Sequence, residues 1–526
     1  MPTNAEVMAQ ALAARGVRFA FGLPGGEVIA FIDACRQAGI RFLLTGHESS
    51  AAWMAQVIGQ ISGVPGLCIA TLGPGATNLV TGVANALLDR APMLAVTADL
   101  PQASAPTLTH QRLNLQRLFA PVAKASWTAA AGDPIDLMNR ALDLASAPRS
   151  GPVHVALPRD VAIAEHVSHP IAEQISLESS PGSAAIQQAA ARLAAAERPL
   201  VLVGLGTSGA ARSALLALIE KLQAPFIVTA KAKGILDEDH PFFLGVASGM
   251  AIDGEVVETI RAADLILAIG FDPVECDKTW FASSQVVALD DVSMSEGDYR
   301  PLEAVGDIEG SLASLTVEAS PKSWPVELLD ARRAALRREP IATNNGLSPL
   351  RAIQELRSVF PRDGIAACDV GSHKLVMGQF WKTYEPGTFL MSNGLSAMGF
   401  GIPAAIAAQL ARPEKRVMAV VGDGGMLMMV HDLALIRELA LPIVVVVFTD
   451  RSLSLIRVSA ERRGFPPSGT DFTPPDFPRI AQAFGIAGQR ATGIAAIRAC
   501  VETALNKRIP MLIEIPIDYR EYYELV

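Results

Sequence analysis

From Phe19 onward, short apolar runs alternate with segments in which hydrophobic side chains return every three or four positions. FAFGLPGG, RFLLTG, GLCIATLGPG, APMLAVTADL and GPVHVALPRD each read as a strand closing on a turn signal, and helices are expected from about Glu27, Glu48 and Ala76. The opening MPTNAEVMAQALAARGV has the pattern of an amphipathic helix capped near Thr3 or Asn4. Strands alternating with helices predict a parallel sheet with helices on both faces.

The pattern then repeats. A Ser/Pro/Gly-rich stretch, SLESSPGSAAIQQ, reads as a linker, after which RPLVLVGLG, APFIVTAKAKG, ADLILAIGFDP and SQVVALD predict four more strands. The charged helix ELLDARRAALRREP leads to a last set, GIAACDVGS, RVMAVVGDGG, PIVVVVFTD and PMLIEIPID. The expected fold class is α/β, three doubly wound parallel-sheet domains of one architecture, at 1–165, 185–320 and 345–526.

Composition narrows the partners. A chain of 526 residues exceeds what one hydrophobic core supports. Half of it is hydrophobic, 18% is charged and the mean hydropathy is +0.31, which points to much surface buried between domains and between subunits of an oligomer. A membrane span is not expected, since the longest clear apolar run, Leu441 to Phe448, is too short. The net charge of −9 comes without a basic patch, so no nucleic-acid partner is expected. Five scattered cysteines without a C-x-x-C pair read as reduced thiols, and the N-terminus has no signal-peptide pattern, so a cytoplasmic location is expected.

The sharpest chemical signal is VMAVVGDGGMLMMVHDLALIRELALPIVVVVFTDRS. An apolar strand ends at Gly422-Asp423-Gly424-Gly425, a helix follows, and a second apolar strand ends at Asp450. The C-termini of parallel strands share one edge, so Asp423 and Asp450 can converge there as hard oxygen ligands for Mg²⁺ or Ca²⁺. The glycines let backbone approach a phosphate at a helix N-terminus. The bland alternative is a tight turn at Gly-Asp-Gly and a helix cap at Asp450.

This spacing resembles the motif of thiamine diphosphate enzymes of the acetolactate synthase, pyruvate decarboxylase and benzoylformate decarboxylase family, and the resemblance runs along the whole chain. It implies pyrimidine-binding, central Rossmann-like and diphosphate-binding domains in that order. One departure is plain: the family usually has Asn where this chain has Asp450. The third metal ligand implied is the Ser452 carbonyl. DVGSHK matches a diphosphate-contacting loop, which assigns Gly371, Ser372 and His373 to the cofactor; SNGLSAMGFGIPAAIAA implies that the Ser396 carbonyl and Met398 hold the aminopyrimidine. Met426, Leu453, Ser454, Pro24 and Asn78 are carried over as further cofactor contacts. His47-Glu48 resembles the activating element, a carboxylate on the pyrimidine ring nitrogen, although a Glu in a first helical turn is ordinarily a dipole-complementing surface acid. Because activator and metal site lie in different domains, the resemblance implies a homodimer or homotetramer with active sites between subunits.

Implied chemistry is attack on a 2-oxo acid, loss of CO₂, and an enamine that is protonated or added to a second carbonyl. Gly26 and Thr71 stand where benzoylformate decarboxylase has its Ser and His, while FGLPGGEVIAF and TLGPGATNLVTGVANALLDRAP look like acetolactate synthase. Gln111 matches that group's substrate-side Gln; its neighbour His110 is a proton shuttle or a solvated loop residue. Ser459 replaces the acceptor-selecting Trp, and GFDPVECDKTW resembles the flavin-free catabolic enzymes, so FAD is not expected. The reading is acetolactate synthase-like carboligation from a pyruvate-like substrate; the alternative is a non-ligating benzoylformate or branched-chain 2-oxo acid decarboxylase. Two others are weaker. Gly204, Gly206 and Gly209 form a G-x-G-x-x-G that admits a nicotinamide dehydrogenase, but the next strand ends without the ribose-binding acid. A non-catalytic paralogue would not need to keep Glu48 and the two acids.

Overall fold

In the computed structural model, which describes residues 1–101, 107, 109–130, 133–167, 183–248, 251–276, 285–343 and 346–525, three parallel sheets of six strands each follow one another along the chain. The first contains β1 (Phe19–Leu23), β2 (Arg41–Leu44), β3 (Gly66–Ala70), β4 (Met93–Asp99), β5 (Ala125–Thr128) and β6 (Pro152–Pro158), in the order β2-β1-β3-β4-β6-β5. The second contains β7 (Pro199–Val203), β8 (Phe226–Thr229), β9 (Phe243–Ala247), β10 (Leu265–Ile269), β11 (Gln285–Asp290) and β12 (Leu302–Val305), in the order β12-β11-β10-β7-β8-β9. The third contains β13 (Ile365–Cys368), β14 (Phe389–Met391), β15 (Val417–Gly422), β16 (Ile443–Thr449), β17 (Ala487–Arg490) and β18 (Met511–Pro516), in the order β14-β13-β15-β16-β18-β17.

All three sheets have the expected doubly wound parallel architecture, but they do not share one strand order. The first and third share a strand order, whereas the second has the order of a dinucleotide-binding fold, with its crevice between β7 and β10. Five strands escaped the sequence pattern, β5, β9, β12, β14 and β17, and each is an edge strand. An edge strand has one hydrogen-bonded neighbour and can be short or half-exposed, so it carries no long apolar run. The predicted helix at Glu48 starts there, as Glu48–Ser62, with the His47 ring accepting from Ser49 N–H. The first helix, Asn4–Ala14, is capped by Thr3 and Glu6 in a reciprocal capping box. The helices expected from Glu27 and Ala76 are Ile29–Gln37 and Pro74–Leu88. Ser176 to Gly182 of the expected linker lie outside the described residues, and Ser183 opens the helix Ser183–Ala195.

The third sheet is the middle layer of the core. On one side its apolar side chains join those of the second sheet, and on the other they join the helix Glu48–Ser62, which packs on Gly401–Ala411. The alanines of both helices allow that close approach. Ser50, one turn into the first helix, donates to the buried Asp432 carboxylate at 2.8 Å, fixing the first sheet against the third.

Candidate active site

In the third sheet the strand order reverses between β13 and β15, and a crevice opens outside the carboxyl ends of strands at such a point. The loops after β13, β15 and β16 all arrive there. They lead into the helices Ser372–Phe380, Asp423–Met428 and Ser454–Arg462. Together with the loop before Gly401 they enclose a cavity of about 290 Å³ lined by Gly371, Ser372, His373, Ser396, Met398, Gly422, Asp423, Gly424, Gly425, Asp450, Ser452, Leu453 and Ser454.

Asp423 and Asp450 meet in this cavity. Asp423 accepts from Gly424 N–H at 2.9 Å and from Arg451 N–H at 2.8 Å; Arg451 takes a left-handed φ of 64°, turning the chain just past Asp450. Asp450 accepts from Ser452 N–H at 3.2 Å and from the Ser454 hydroxyl at 2.6 Å. Burial pushes the Asp423 carboxyl up to about 6; burial and then the neighbouring Asp423 charge push Asp450 up to about 7. Two desolvated carboxylates this close are complementary to a cation. Among the described residues no cluster of three His, Cys, Asp or Glu side chains could hold a metal, so a metal here would complete its shell from backbone carbonyl, water or ligand oxygens. Ser452 lines this cavity, and its carbonyl accepts no hydrogen bond among the described residues.

The opposite wall is prepared for an anion. Ser372 Oγ and His373 Nε2 are buried and without a partner. The His373 ring stands edge-on to Phe448 and burial holds it near 4, hence neutral; an anion beside it would favour protonation. Both residues open a helix whose N-terminus faces the cavity. These orphaned donors and the paired acids fit a magnesium diphosphate. The backbone must approach closely as well: a Cβ on Gly425 would lie 2.0 Å from Asp369 Oδ2, and one on Gly424 2.9 Å from Leu453.

Asp369, missed as a functional residue, organises the remaining wall. Its Oδ1 accepts from Gly399 N–H at 2.8 Å and Phe400 N–H at 3.0 Å, anchoring the loop that carries Ser396 and Met398. Ser396 has a left-handed φ of 54°, and its hydroxyl accepts from the Lys374 ammonium at 2.9 Å. Phe448, Leu455, Ile456, Ile517 and Tyr522 also line the cavity and were not foreseen. Phe448 and Ile517 lie within or just past apolar strands that read as core, and Tyr522 lies on a C-terminal helix with no motif. The Met426 side chain is fully buried in the apolar core, and Ser459 is half-buried further along its helix; neither side chain lines the cavity.

The other predicted residues collect at the same edge of the first sheet. Glu48 is only 4% exposed, and its carboxylate accepts from the Asn78 amide at 2.9 Å. Pro24 is exposed at the end of β1. Gln111 is exposed, has a left-handed φ of 57°, and packs against Gly73; His110 beside it is exposed. None of these residues lines the 290 Å³ cavity, all of whose lining comes from residues 370–522. Within one chain the Glu48 group and this cavity are separate, so each holds half of the residues expected of the site.

In the second sheet the Gly204–Gly209 loop has a packing explanation. Gly204 and Gly206 N–H donate to the Ile269 and Gly270 carbonyls, and a Cβ on Gly204 would stand 2.4 Å from Gly270 O. β8 ends at Thr229, whose hydroxyl binds Glu275. Among the described residues no helix is long and apolar enough to cross a membrane. All five cysteines are free thiols.

Three family descriptions match the chain in sequence: thiamine pyrophosphate enzyme, N-terminal TPP binding domain, over residues 2–118; the central domain over 186–315; and the C-terminal TPP binding domain over 369–515. The chain is 32% identical to the "Probable acetolactate synthase large subunit" of Methanocaldococcus jannaschii, covering 99% of this chain and 93% of that one. It is 30% identical to the acetolactate synthase of Bacillus subtilis, covering 99% and 94%, and 29% identical to a "Probable 2-ketoarginine decarboxylase" of Pseudomonas aeruginosa, covering 98% and 94%. With three parallel sheets in this succession, the chain belongs to the thiamine pyrophosphate (thiamine diphosphate) enzymes and is similar to acetolactate synthase large subunits.

Proposed function

We propose that the protein decarboxylates a 2-oxo acid of the pyruvate type with thiamine diphosphate and Mg²⁺ and joins the remaining carbons to a second carbonyl, as an acetolactate synthase does. The observation that carries this reading is the cavity in which two cation-seeking acids, Asp423 and Asp450, face two unpartnered donors, Ser372 and His373. Bound thiamine diphosphate supplies the electron sink into which the C–C bond to the carboxylate breaks. Asp423, Asp450 and the Ser452 carbonyl hold the metal; Ser372, His373 and the Gly422–Gly425 backbone hold the diphosphate. Met398 and the Ser396 carbonyl orient the pyrimidine, and Glu48 holds a proton on its ring nitrogen. Gln111 and His110 flank the substrate. The 2-ketoarginine decarboxylase named above, together with Ser459 in place of the acceptor-selecting Trp, favours as second reading a simple decarboxylation.

No flavin is needed in this reading. Arg90 and Arg149, which face the second-sheet crevice, are already paired with acids, Arg90 with Asp272 by two bonds of 2.7 and 3.1 Å and Arg149 with Glu296 at 3.4 Å, and Asp290 and Asp291 line the same crevice. A dinucleotide phosphate would meet carboxylates there. Supplying 2-oxo acids singly and in pairs, with CO₂ and carbon products measured, tests the reading: CO₂ with a two-substrate product supports ligation, CO₂ with an aldehyde alone supports the second reading, and no CO₂ from any acid rejects both.

The half-sites argue for a homodimer or homotetramer. Leu44 precedes the Glu48 turn, Leu395 precedes Ser396, and Leu427 and Met428 follow Asp423; they are exposed by 54, 36, 41 and 49%, an apolar rim suited to a second copy. Mixing an inactive Glu48→Gln protein with an inactive Asp450→Ala protein, under conditions that exchange subunits, is expected to restore activity, because each mixed dimer contains one intact site. Activity that stays at the level of the separate variants counts against a shared site.

A further inference from the structure

We propose that Glu27 is a specificity-determining residue that selects 2-oxo acids carrying a cationic tail, an ammonium or guanidinium group. This keeps the decarboxylation of a 2-oxo acid from the reading above, replaces the pyruvate-type substrate with a longer-tailed one, and rests on Glu48 being the activator. The turn after β1, Pro24-Gly25-Gly26-Glu27, and the turn after β3, which starts at Thr71, flank the strand-order reversal of the first sheet. Thr71 Oγ1 donates to Glu27 Oε2 at 2.8 Å. A Cβ on Gly75 would lie 2.9 Å from Thr71 Cγ2 and 3.4 Å from Glu48 Oε1, so Gly75 stands between Thr71 and Glu48. The Glu27 carboxylate is thus linked to the neighbourhood of the activator through Thr71 and Gly75.

Its surroundings leave that charge unanswered. Glu27 is half-buried, forms no ion pair among the described residues, and accepts no hydrogen bond there other than that of Thr71. A Cβ on Gly26 beside it would meet nothing within 4 Å, so the turn that carries Glu27 borders open space. The Thr71 hydroxyl, by donating to this carboxylate, fixes its position. With no counter-ion among the described residues, that carboxylate is open to a cation brought by a substrate. The methyl group of pyruvate brings none; a tail ending in guanidinium can form a charge-assisted pair, and a tail ending in carboxylate is repelled.

The test uses the holoenzyme with thiamine diphosphate and Mg²⁺ and three unreactive 2-hydroxy acids, 2-hydroxy-5-guanidinopentanoate, 2-hydroxyhexanoate and 2-hydroxyadipate, titrated calorimetrically. The guanidinium compound is expected to bind about tenfold more tightly than the neutral one, the scale of one charge-assisted hydrogen bond, and the adipate analogue most weakly. Glu27→Gln, which can still accept from Thr71, is expected to erase the preference, and Glu27→Lys to turn it toward the adipate analogue. Equal binding by the unmodified protein, or a preference that survives in Glu27→Gln, overturns the proposal. CO₂ release from the matching 2-oxo acids separates the two levels. Release without tail preference removes the role of Glu27 alone; no release from any 2-oxo acid removes the parent reading and this one with it.

Discussion

Glu48→Gln is expected to bind thiamine diphosphate and to exchange the thiazolium proton about 10²–10⁴-fold more slowly than the unmodified protein, the range removed when a positioned acid–base group is lost. The geometry gives this variant its meaning. Glu48 opens the helix Glu48–Ser62, is nearly fully buried, and has one oxygen committed to Asn78, so its free oxygen has a fixed direction. Gln preserves the size and an oxygen for the Asn78 amide but can no longer hold a proton on the ring nitrogen. The fold should survive, because the substitution exchanges a buried carboxylate for a neutral group of the same shape. Quenched-flow deuterium exchange followed by NMR measures the rate, and calorimetry the affinity. An unchanged exchange rate would reject Glu48 as activator; lost affinity together with slow exchange would assign it to binding instead.

Sequence patterning was most informative where burial is greatest and least informative at the margins. Central strands such as Ile443–Thr449, buried throughout, carry unbroken apolar runs, and the acids at their ends could be placed without coordinates. Edge strands such as Ala487–Arg490, half-exposed along their length, have no comparable run. Strand order is a property of non-local pairing, which is why the alternation of strands and helices alone did not distinguish the second sheet from its neighbours, although the resemblance implied a Rossmann-like domain there. At the site, residues beside glycine-rich turns were legible because the turn chemistry marks them. Asp369 lay inside a quoted motif, yet its bonds to Gly399 and Phe400 span about 30 residues and have no periodic signature. Tyr522 reaches the cavity from the C-terminal end, where local sequence says nothing of what it faces.

Asp450→Ala is expected to abolish metal-dependent cofactor binding while making the metal-free protein relatively more stable above neutrality, two effects of opposite sign from one cause. In the metal-free fold both acids are raised above the ordinary carboxylate value of 3.8, Asp423 to about 6 and Asp450 to about 7. A folded-state value above the unfolded one means that these groups contribute stability that is fully present below about pH 4 and lost as pH rises through 6 to 7. A divalent cation reverses this, since it binds the ionised pair, and at lower pH it must first displace protons. The rise in Tm on adding Mg²⁺ and thiamine diphosphate should therefore be large at about pH 8 and shrink toward pH 5.5. Alanine removes both a ligand and the charge that burdens Asp423, and it also removes the acceptor for Ser454 and Ser452, a loss of about 1 kcal/mol for a helix-start contact. Asp450→Asn separates these contributions. It keeps an oxygen for the metal and an acceptor for Ser454 and removes only the charge, so metal-dependent binding should persist and extend to lower pH. Thermal denaturation and calorimetric titration of the three proteins across this range provide the measurement; cofactor affinity in Asp450→Ala that is retained in the presence of a chelator would defeat the metal assignment.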